Sequence, residues 1–176
     1  MGQYYVAVNL DNMEHVGPHK YDNGAKLMEH SYIGNNFVEA VEFLLIDDGQ
    51  QKARWSGQRI VWAGDYADEE EGSDRTLYDL VKGGGLQMLI EAIPADYKYL
   101  VNLDKKEYVD KSKCPKYGEH DWSIHPLPLL TAEGNGRGGG DYCGNDDYVG
   151  VWSRDRISLM KEIPEGYTEL TPNFIE

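Results

Sequence analysis

The chain has 176 residues and a mass of 19.9 kDa, the size of one ordinary domain. Of its residues, 40% are hydrophobic and 11% aromatic, which is too much apolar material for a disordered chain. The formal net charge of −14 disfavours direct binding to nucleic acid or to anionic membranes. The same charge suits a basic protein partner, although acidity also serves simply to keep a protein in solution.

No apolar run approaches the length needed to cross a bilayer, so no membrane segment is expected. The N-terminal residues lack the basic and apolar pattern of a secretory signal, and only two cysteines occur. These features predict a cytoplasmic protein.

The first part of the chain predicts a β-hairpin followed by a helix. A strand over 4–10 runs into an Asp-x-x-Glu turn at Asp11 and a short return strand. Asn36 as a helix cap and Glu39 three residues later resemble a capping box, and a second strand is predicted over 59–62. The helical face between them consists of Phe37, Val38, Val41, Leu44 and Leu45.

A linking segment over 73–93 is predicted to be helical, capped by Ser73 and broken by the glycines at 83–85. The second half then follows the order of the first. A strand over 97–103 leads into another Asp-x-x-Glu turn and return strand, and a later strand is predicted over 156–159.

Two sequence matches indicate an internal duplication. The segment 8–16, VNLDNMEHV, recurs at 101–109 as VNLDKKEYV, and WSGQRI at 55–60 is echoed by WSRDRI at 152–157. Because both matches occur in the same order at nearly the same spacing, we interpret them as two diverged copies of one motif.

Each copy is too small to bury its own apolar face, so the two should share one core. The predicted fold is therefore α+β, a single domain over 1–176 built from two diverged hairpin-containing repeats around a shared core. The expected division is repeat one at about 1–72, a helical linker at about 73–94 and repeat two at about 95–176.

Several motifs resemble those of a family of small bacterial and phage proteins with no assigned activity. They are Val-Asn-Leu-Asp-x-x-Glu-Tyr at 101–108, the Trp-x-x-x-Arg-Ile pair, Ala-Gly-Asp-Tyr-Ala-Asp at 63–68 and Gly-Asn-Gly-Arg-Gly-Gly-Gly-Asp at 134–141. The resemblance implies a phage or mobile-element context as readily as a chromosomal one. It implies no catalytic residue.

The loop at 134–141 is the first candidate site, because its Gly-x-Gly-x-x-Gly spacing can present backbone N–H groups to a phosphate. The candidate ligand-binding residues are Gly134, Asn135, Gly136, Arg137, Gly138 and Asp141. Arg137 offers a fork for an anion, and Asp141 is a candidate metal ligand or base. No helix pattern and no Gly-Lys-Ser/Thr follows, so a tight structural loop is the alternative.

Cysteine and histidine residues in the second half form a candidate zinc site. Two Cys and two His make the tetrahedral ligand set that zinc prefers, and the candidates are Cys114, His120, His125 and Cys143. The set lacks Cys-x-x-Cys spacing, and an irregular loop ahead of Pro126 and Pro128 would have to bring the histidines together. The alternative is two unrelated cysteines.

An acidic run without Lys or Arg is the third candidate site. It consists of Asp65, Asp68, Glu69, Glu70, Glu71 and Asp74. Such runs are usually solvated loops; the alternative is a patch that imitates a phosphate backbone and occupies a basic groove.

Two classes of function follow from these features. The first is a non-catalytic acidic binding protein, a phage-type inhibitor such as an anti-CRISPR or other counter-defence protein. It would block a basic nucleic-acid-handling partner such as a Cas nuclease. The alternative is a nucleotide- or phosphate-binding protein, or a hydrolase, that uses the loop at 134–141. A structural zinc ion is expected in the first case.

Overall fold

The computed structural model describes residues 2–88 and 92–174, which form one α+β domain around a mixed β-sheet. Its strands are β1 (Tyr5–Asn9), β2 (Glu14–Val16), β3 (Ile46–Asp47), β4 (Gln58–Gly64), β5 (Tyr99–Asn102), β6 (Glu107–Asp110), β7 (Ala132–Glu133), β8 (Arg156–Met160) and β9 (Thr168–Glu169). Its α-helices are α1 (Leu27–His30), α2 (Asn36–Leu45), α3 (Leu77–Leu80) and α4 (Pro126–Thr131). Short 3-10 helices occupy Pro18–Tyr21 and Lys111–Lys113.

Strand pairing connects the two halves of the chain at the centre of the sheet. Within the described residues the strand order is β2-β1-β4-β8-β5-β6-β9, and the central strands β4 and β8 are antiparallel. Two short strands cross between the halves: β3 pairs in parallel with β8, and β7 pairs in parallel with β4. The α+β class and the two predicted hairpins are therefore confirmed.

Alternating side chains along β4 enter two different apolar clusters. Ile60 and Trp62 pack with α2 and α4 in the main core, whereas Val61 and Ala63 pack with Val8 on the opposite face. The smaller cluster is covered by Leu77 of α3 and by Val81, which lies just after it. Burial on both faces explains why the strand is a nearly continuous apolar run.

Both flanks of the sheet carry an added segment of chain. On one flank the N–H of Leu86 donates to the carbonyl of His15 in β2, at 2.8 Å. On the other flank β9 pairs in parallel with β6, and the N–H of Leu170 donates to the carbonyl of Tyr108, also at 2.8 Å. These segments engage main-chain groups that would otherwise lie open at a sheet edge.

Several contacts occur once in each half. The indole N–H of Trp55 donates to Glu14 at 3.3 Å, and that of Trp152 donates to Glu107 at 2.9 Å. The turn of each hairpin also carries an aspartate. Its carboxylate accepts hydrogen bonds from the main-chain N–H and from the Nε–H of an arginine. These pairs are Asp11 with Arg59 and Asp104 with Arg156.

Helix α2 lies where the sequence predicts it, and the side chains of its expected apolar face are all buried. The cap is Asn35 and not Asn36, because the Asn35 side chain accepts hydrogen bonds from the N–H groups of Phe37 and Val38. Asn36 is the first helical residue, and its side chain donates to the carbonyl of Tyr21.

Helix α4 begins directly after the irregular segment that carries His120 and His125, and the sequence analysis did not predict this helix. Pro126 is the first residue of the helix and Pro128 the third. Proline is tolerated there because the first N–H groups of a helix have no partner within the helix. His125 caps the helix by accepting the N–H of Leu127 at Nδ1.

The predicted helical linker is mostly non-helical within its described residues, and its only helix there is the four-residue α3. The cap of α3 is Thr76 and not Ser73. The Ser73 side chain instead accepts a hydrogen bond from the N–H of Arg75. Residues 89–91 of this predicted helix lie outside the described part of the chain.

A buried carboxylate on α2 binds two groups from the second half. Glu42 is 2% exposed; its Oε1 accepts the Nε2–H of His125 at 2.8 Å, and its Oε2 forms an ion pair with Lys111. Burial by itself raises the pKa of Glu42, but His125 and Lys111 outweigh burial and hold the pKa below its ordinary value.

Replacing Glu42 by Ala should lower the free energy of unfolding by about 3–5 kcal/mol, because it leaves Lys111 without its buried counter-charge. Urea denaturation of the purified variant measures this loss. The matched control is Glu39→Ala, which lies one turn earlier on the same helix and should change stability by no more than about 0.5 kcal/mol. Equal, small losses in both variants would show that the Glu42 pair does not stabilise the fold.

His30 is a second buried polar group with both ring nitrogens engaged. Its Nε2 accepts the indole N–H of Trp62 at 2.9 Å, and its Nδ1–H donates to the carbonyl of Gly24 at 3.0 Å. Burial lowers the pKa of His30 to about 4 from its ordinary 6.5. Between pH 4 and 6.5 the His30 ring is therefore neutral in the folded protein but protonated in the unfolded chain.

Stability should fall as the pH drops from 6.5 towards 4, because the unfolded chain takes up a proton at His30 that the folded chain refuses. His30→Gln removes that uptake. Between pH 6.5 and 5 the natural protein should lose about 1.5 kcal/mol more than the variant. Thermal or urea unfolding at several pH values tests this, and parallel losses in both proteins would contradict it.

Candidate functional site

The acidic run and the glycine loop meet at one surface cleft of about 600 Å³. Its lining includes five carboxylate residues and two arginines, so the cleft is net negative. The carboxylates belong to Asp68, Glu69, Glu70, Glu71 and Glu133, and the guanidinium groups to Arg137 and Arg154. Two regions about seventy residues apart in the sequence thus form one site.

The glycine loop is held by hydrogen bonds to its own aspartate. Oδ2 of Asp141 accepts the N–H groups of Gly136, Arg137 and Gly138 at 2.7, 3.2 and 3.2 Å. Asn135 closes the loop, because its side chain donates to the carbonyl of Tyr142 and accepts that residue's N–H. The amides that a phosphate would use are therefore occupied by a carboxylate from the same loop.

Close packing against the N-terminal segment explains two of the loop's glycines. Side-chain carbons at Gly134 and Gly138 would come within 2.2 Å and 2.4 Å of Gln3 side-chain atoms, and Gln3 is fully buried beneath the loop. Such distances are far inside van der Waals contact, so neither position accepts a side chain without movement. Gly2 also pairs with Gly139 in a parallel bridge.

Asp141 is itself buried, as is the nearby Tyr5 hydroxyl. Burial, and after it the charge of Asp141, raises the pKa of Tyr5 well above its ordinary value.

The loop's ligand-binding role stays a prediction, and an incoming phosphate would have to displace Asp141. Of the six candidate ligand residues, Gly134 and Arg137 line the cleft, whereas Asn135, Gly136, Gly138 and Asp141 do not appear in its lining.

Arg137 bridges the loop to the acidic run. One guanidinium nitrogen lies 2.7 Å from the Asp68 carboxylate and 3.2 Å from the carbonyl of Tyr66. The bond to Asp68 raises the pKa of Arg137 and lowers that of Asp68. Both side chains are largely solvent-exposed, so this pair contributes little to stability.

The acidic run has an inward and an outward side. Main-chain bonds from Glu70 to Arg75 and from Ser73 to Glu70 make it a tight turn. The Glu70 carboxylate turns into the cleft and binds Arg154 through both of its oxygens. Asp68, Glu69 and Glu71 also line the cleft, but their residues are exposed to solvent.

Two members of the acidic run lie outside the cleft lining. Asp65 accepts the main-chain N–H of Tyr4 at 2.9 Å and is only partly exposed. Asp74 is exposed and does not line the cleft.

Arg154 is the central cation of the cleft. Besides Glu70 it binds both carboxylate oxygens of Glu133, which also accepts the hydroxyl of Ser153 at 2.7 Å. These two carboxylates raise the pKa of Arg154, and Arg154 in turn lowers that of Glu70. Arg154 and Glu133 were not predicted as site residues.

A sequence signal for Arg154 was present. When the segments 55–60 and 152–157 are aligned, Arg154 stands opposite Gly57. Both residues have a left-handed backbone, with φ of 66° at Arg154 and 71° at Gly57. An arginine aligned with a glycine is unusual, because this conformation costs an arginine more than a glycine. Its main-chain N–H donates to the carbonyl of Ile60 at 2.8 Å, which holds it there.

The predicted zinc site is wrong. Within residues 2–88 and 92–174, no group of three or more His, Cys, Asp or Glu side chains is placed to hold a metal ion. His125 is buried, with one ring nitrogen bonded to Glu42 and the other accepting the N–H of Leu127. It therefore has no nitrogen left for a metal.

The other predicted zinc ligands also have different environments. Cys114 is half-buried, and burial raises the pKa of its thiol to about 12, which disfavours the thiolate that binds metal. Cys143 is exposed, and its thiol faces the carbonyl of Asp141. His120 stacks on Tyr117 and Trp122. Residue types alone suggested a ligand set that the fold does not assemble.

Comparison with protein-family models, with curated proteins and with solved structures finds no match to this chain. None of the helices within the described residues has the length and apolar character that a bilayer crossing requires.

Asp141→Ala should lower the free energy of unfolding by about 3 kcal/mol, because three main-chain N–H groups lose their charged acceptor. Chemical denaturation measures the loss. Asp74→Ala, on the exposed side of the acidic run, is the control and should leave stability nearly unchanged. A fully stable Asp141→Ala variant would show that the aspartate does not hold the loop, and would favour its role in ligand binding.

Proposed function

We propose that this protein is a non-catalytic acidic binding protein, a phage-type inhibitor that blocks a basic nucleic-acid-handling partner such as a Cas nuclease. The observation that carries the proposal is the cleft between the acidic run and the glycine loop. Five carboxylate residues line it against two arginines, and three of the carboxylates are exposed. Lys and Arg side chains of a partner match this charge.

The arrangement of the cleft supports binding to a protein rather than to a free anion. Arg137 and Arg154 are both paired with carboxylates of the same chain, so neither is left to attract a phosphate. These pairs also fix the carboxylates in place, since Arg154 holds the acidic turn to Glu133. A pre-ordered acidic surface loses less side-chain entropy when it binds.

The net charge of −14 adds a long-range effect to these contacts. A surface of this sign accelerates encounter with a basic groove and repels the nucleic acid that competes for it. The rate of association should therefore fall as salt is added, because counter-ions screen charges beyond about 8–10 Å. The protein itself is expected not to bind DNA or RNA.

Neutralising the exposed carboxylates tests the proposal. The cleft variant is Asp68→Asn, Glu69→Gln and Glu71→Gln together, and it should slow association with a susceptible partner by about tenfold or more. Glu70 and Glu133 are kept because they bind Arg154 and hold the cleft together. The measurement is inhibition of nucleic-acid binding across a panel of Cas nucleases and other basic nucleic-acid enzymes.

The matched control removes three exposed acidic charges elsewhere, through Asp146→Asn, Glu162→Gln and Glu165→Gln. Both variants have the same net charge, so only a specific cleft contact distinguishes them. Equal loss of inhibition in both would remove the cleft from the mechanism. Inhibition of no enzyme in the panel by the natural protein would contradict the proposed class.

We also infer that the two halves are diverged copies of one motif. The support is the set of contacts that occur in matching order: the paired indole–glutamate bonds, the two Asp–Arg turns and the crossing strands β3 and β7. The cleft combines Arg154 and the loop after β7, from the second copy, with the acidic run at the end of the first copy, so both copies contribute to it.

A further inference from the structure

A short hairpin ahead of α4 carries three stacked aromatic rings at the surface. Its ends pair through the bridge between Lys116 and Ser123, and the N–H of Tyr117 donates to the carbonyl of Trp122 at 2.9 Å. The residues at its tip, 118–121, are exposed. We call residues 116–123 the aromatic hairpin.

The rings of the aromatic hairpin are nearly parallel. Tyr117 and Trp122 stack with centroids 4.8 Å apart and planes 20° apart. The His120 ring lies 6.0 Å from each, at 10° and 23°. The Tyr32 ring contacts Trp122 in an edge-type arrangement, with centroids 6.2 Å apart and planes at 64°. The stack is therefore an ordered platform that is only partly buried.

We infer that the aromatic hairpin binds an arginine side chain of a basic partner. A guanidinium group is planar, weakly hydrated and cationic, so it stacks on aromatic faces more readily than a lysine ammonium does. Glu119 and Asp121 at the hairpin tip are exposed and supply carboxylates for its N–H groups. Asp121 already pairs with Lys116 at 2.7 Å, whereas Glu119 has no ion pair within the described residues.

Charge selects arginine over a nucleobase as the occupant. A base also stacks on aromatic rings, but its phosphates would meet two carboxylates at the hairpin tip and a net charge of −14. This inference rests on the proposed function in one respect, that the partner is basic. The hairpin is separate from the cleft, since none of residues 116–123 lines the cleft.

Trp122 makes tryptophan emission sensitive to binding at this hairpin. The chain has four tryptophans; Trp55, Trp62 and Trp152 are fully buried, and Trp122 alone is partly exposed. Titration with an oligoarginine peptide at low salt should change the emission, and oligolysine of equal length should change it much less. The oligoarginine peptide should also bind about threefold more tightly.

Variants separate stacking from charge. Trp122→Leu should abolish the preference for arginine over lysine, measured by calorimetry, while Trp122→Phe should keep most of it because a ring remains. The double variant Glu119→Gln and Asp121→Asn should weaken binding of both peptides. Melting temperatures identify a variant that fails to fold. If Trp122→Leu does not fold, the arginine preference of Trp122→Phe and the peptide binding of the double variant test the inference.

The cleft variant, with residues 68, 69 and 71 neutralised, distinguishes this inference from the proposed function. If the hairpin binds arginine, the emission change and the arginine preference persist in that variant even where inhibition is lost. The inference is overturned by equal affinity for the two peptides, by binding of neither peptide, or by an arginine preference that survives in Trp122→Leu. Loss of the emission change in the cleft variant would also overturn it and would assign arginine binding to the cleft.

Discussion

The buried carboxylate of Glu42 is the constraint on which the rest of the domain depends. It sits on a helix of the first half, and both of its partners, Lys111 and His125, come from the second. An unpaired charge in that position would cost several kcal/mol, so Glu42 links the two halves within the core cluster that both contribute to. The crossing strands β3 and β7 extend the same dependence to the sheet.

That constraint reaches the cleft through α4. His125, fixed by Glu42, caps the start of the helix, and the chain leaves its end directly into β7 beside β4. Glu133 in β7 then binds Arg154, which holds the acidic turn through Glu70. The acidic surface is thus positioned by a short series of contacts that begins in the core, and this explains how a charged loop is kept ordered.

Local patterns in the sequence predicted both hairpins and α2, but they did not predict the linker over 73–93, which is mostly non-helical within its described residues. Alternation and turn residues located both hairpins, and the apolar face of residues 37–45 located α2. Predictions that required distant groups to converge were less successful. Zinc ligands were inferred from residue type, but His125 is committed to Glu42, and no pattern in the sequence connects those two positions. The partnership of Glu133 with Arg154 was missed for the same reason, since only the fold brings them together.

The covered flanks of the sheet have a consequence for how the protein meets other chains. The carbonyl of His15 on one side and that of Tyr108 on the other already accept N–H groups from Leu86 and Leu170. An extended peptide arriving at β2 or β6 therefore finds main-chain positions taken, which opposes strand addition and the runaway stacking of copies that leads to fibrils. Recognition by strand addition is therefore disfavoured at these two positions, and contacts made by side chains are favoured instead.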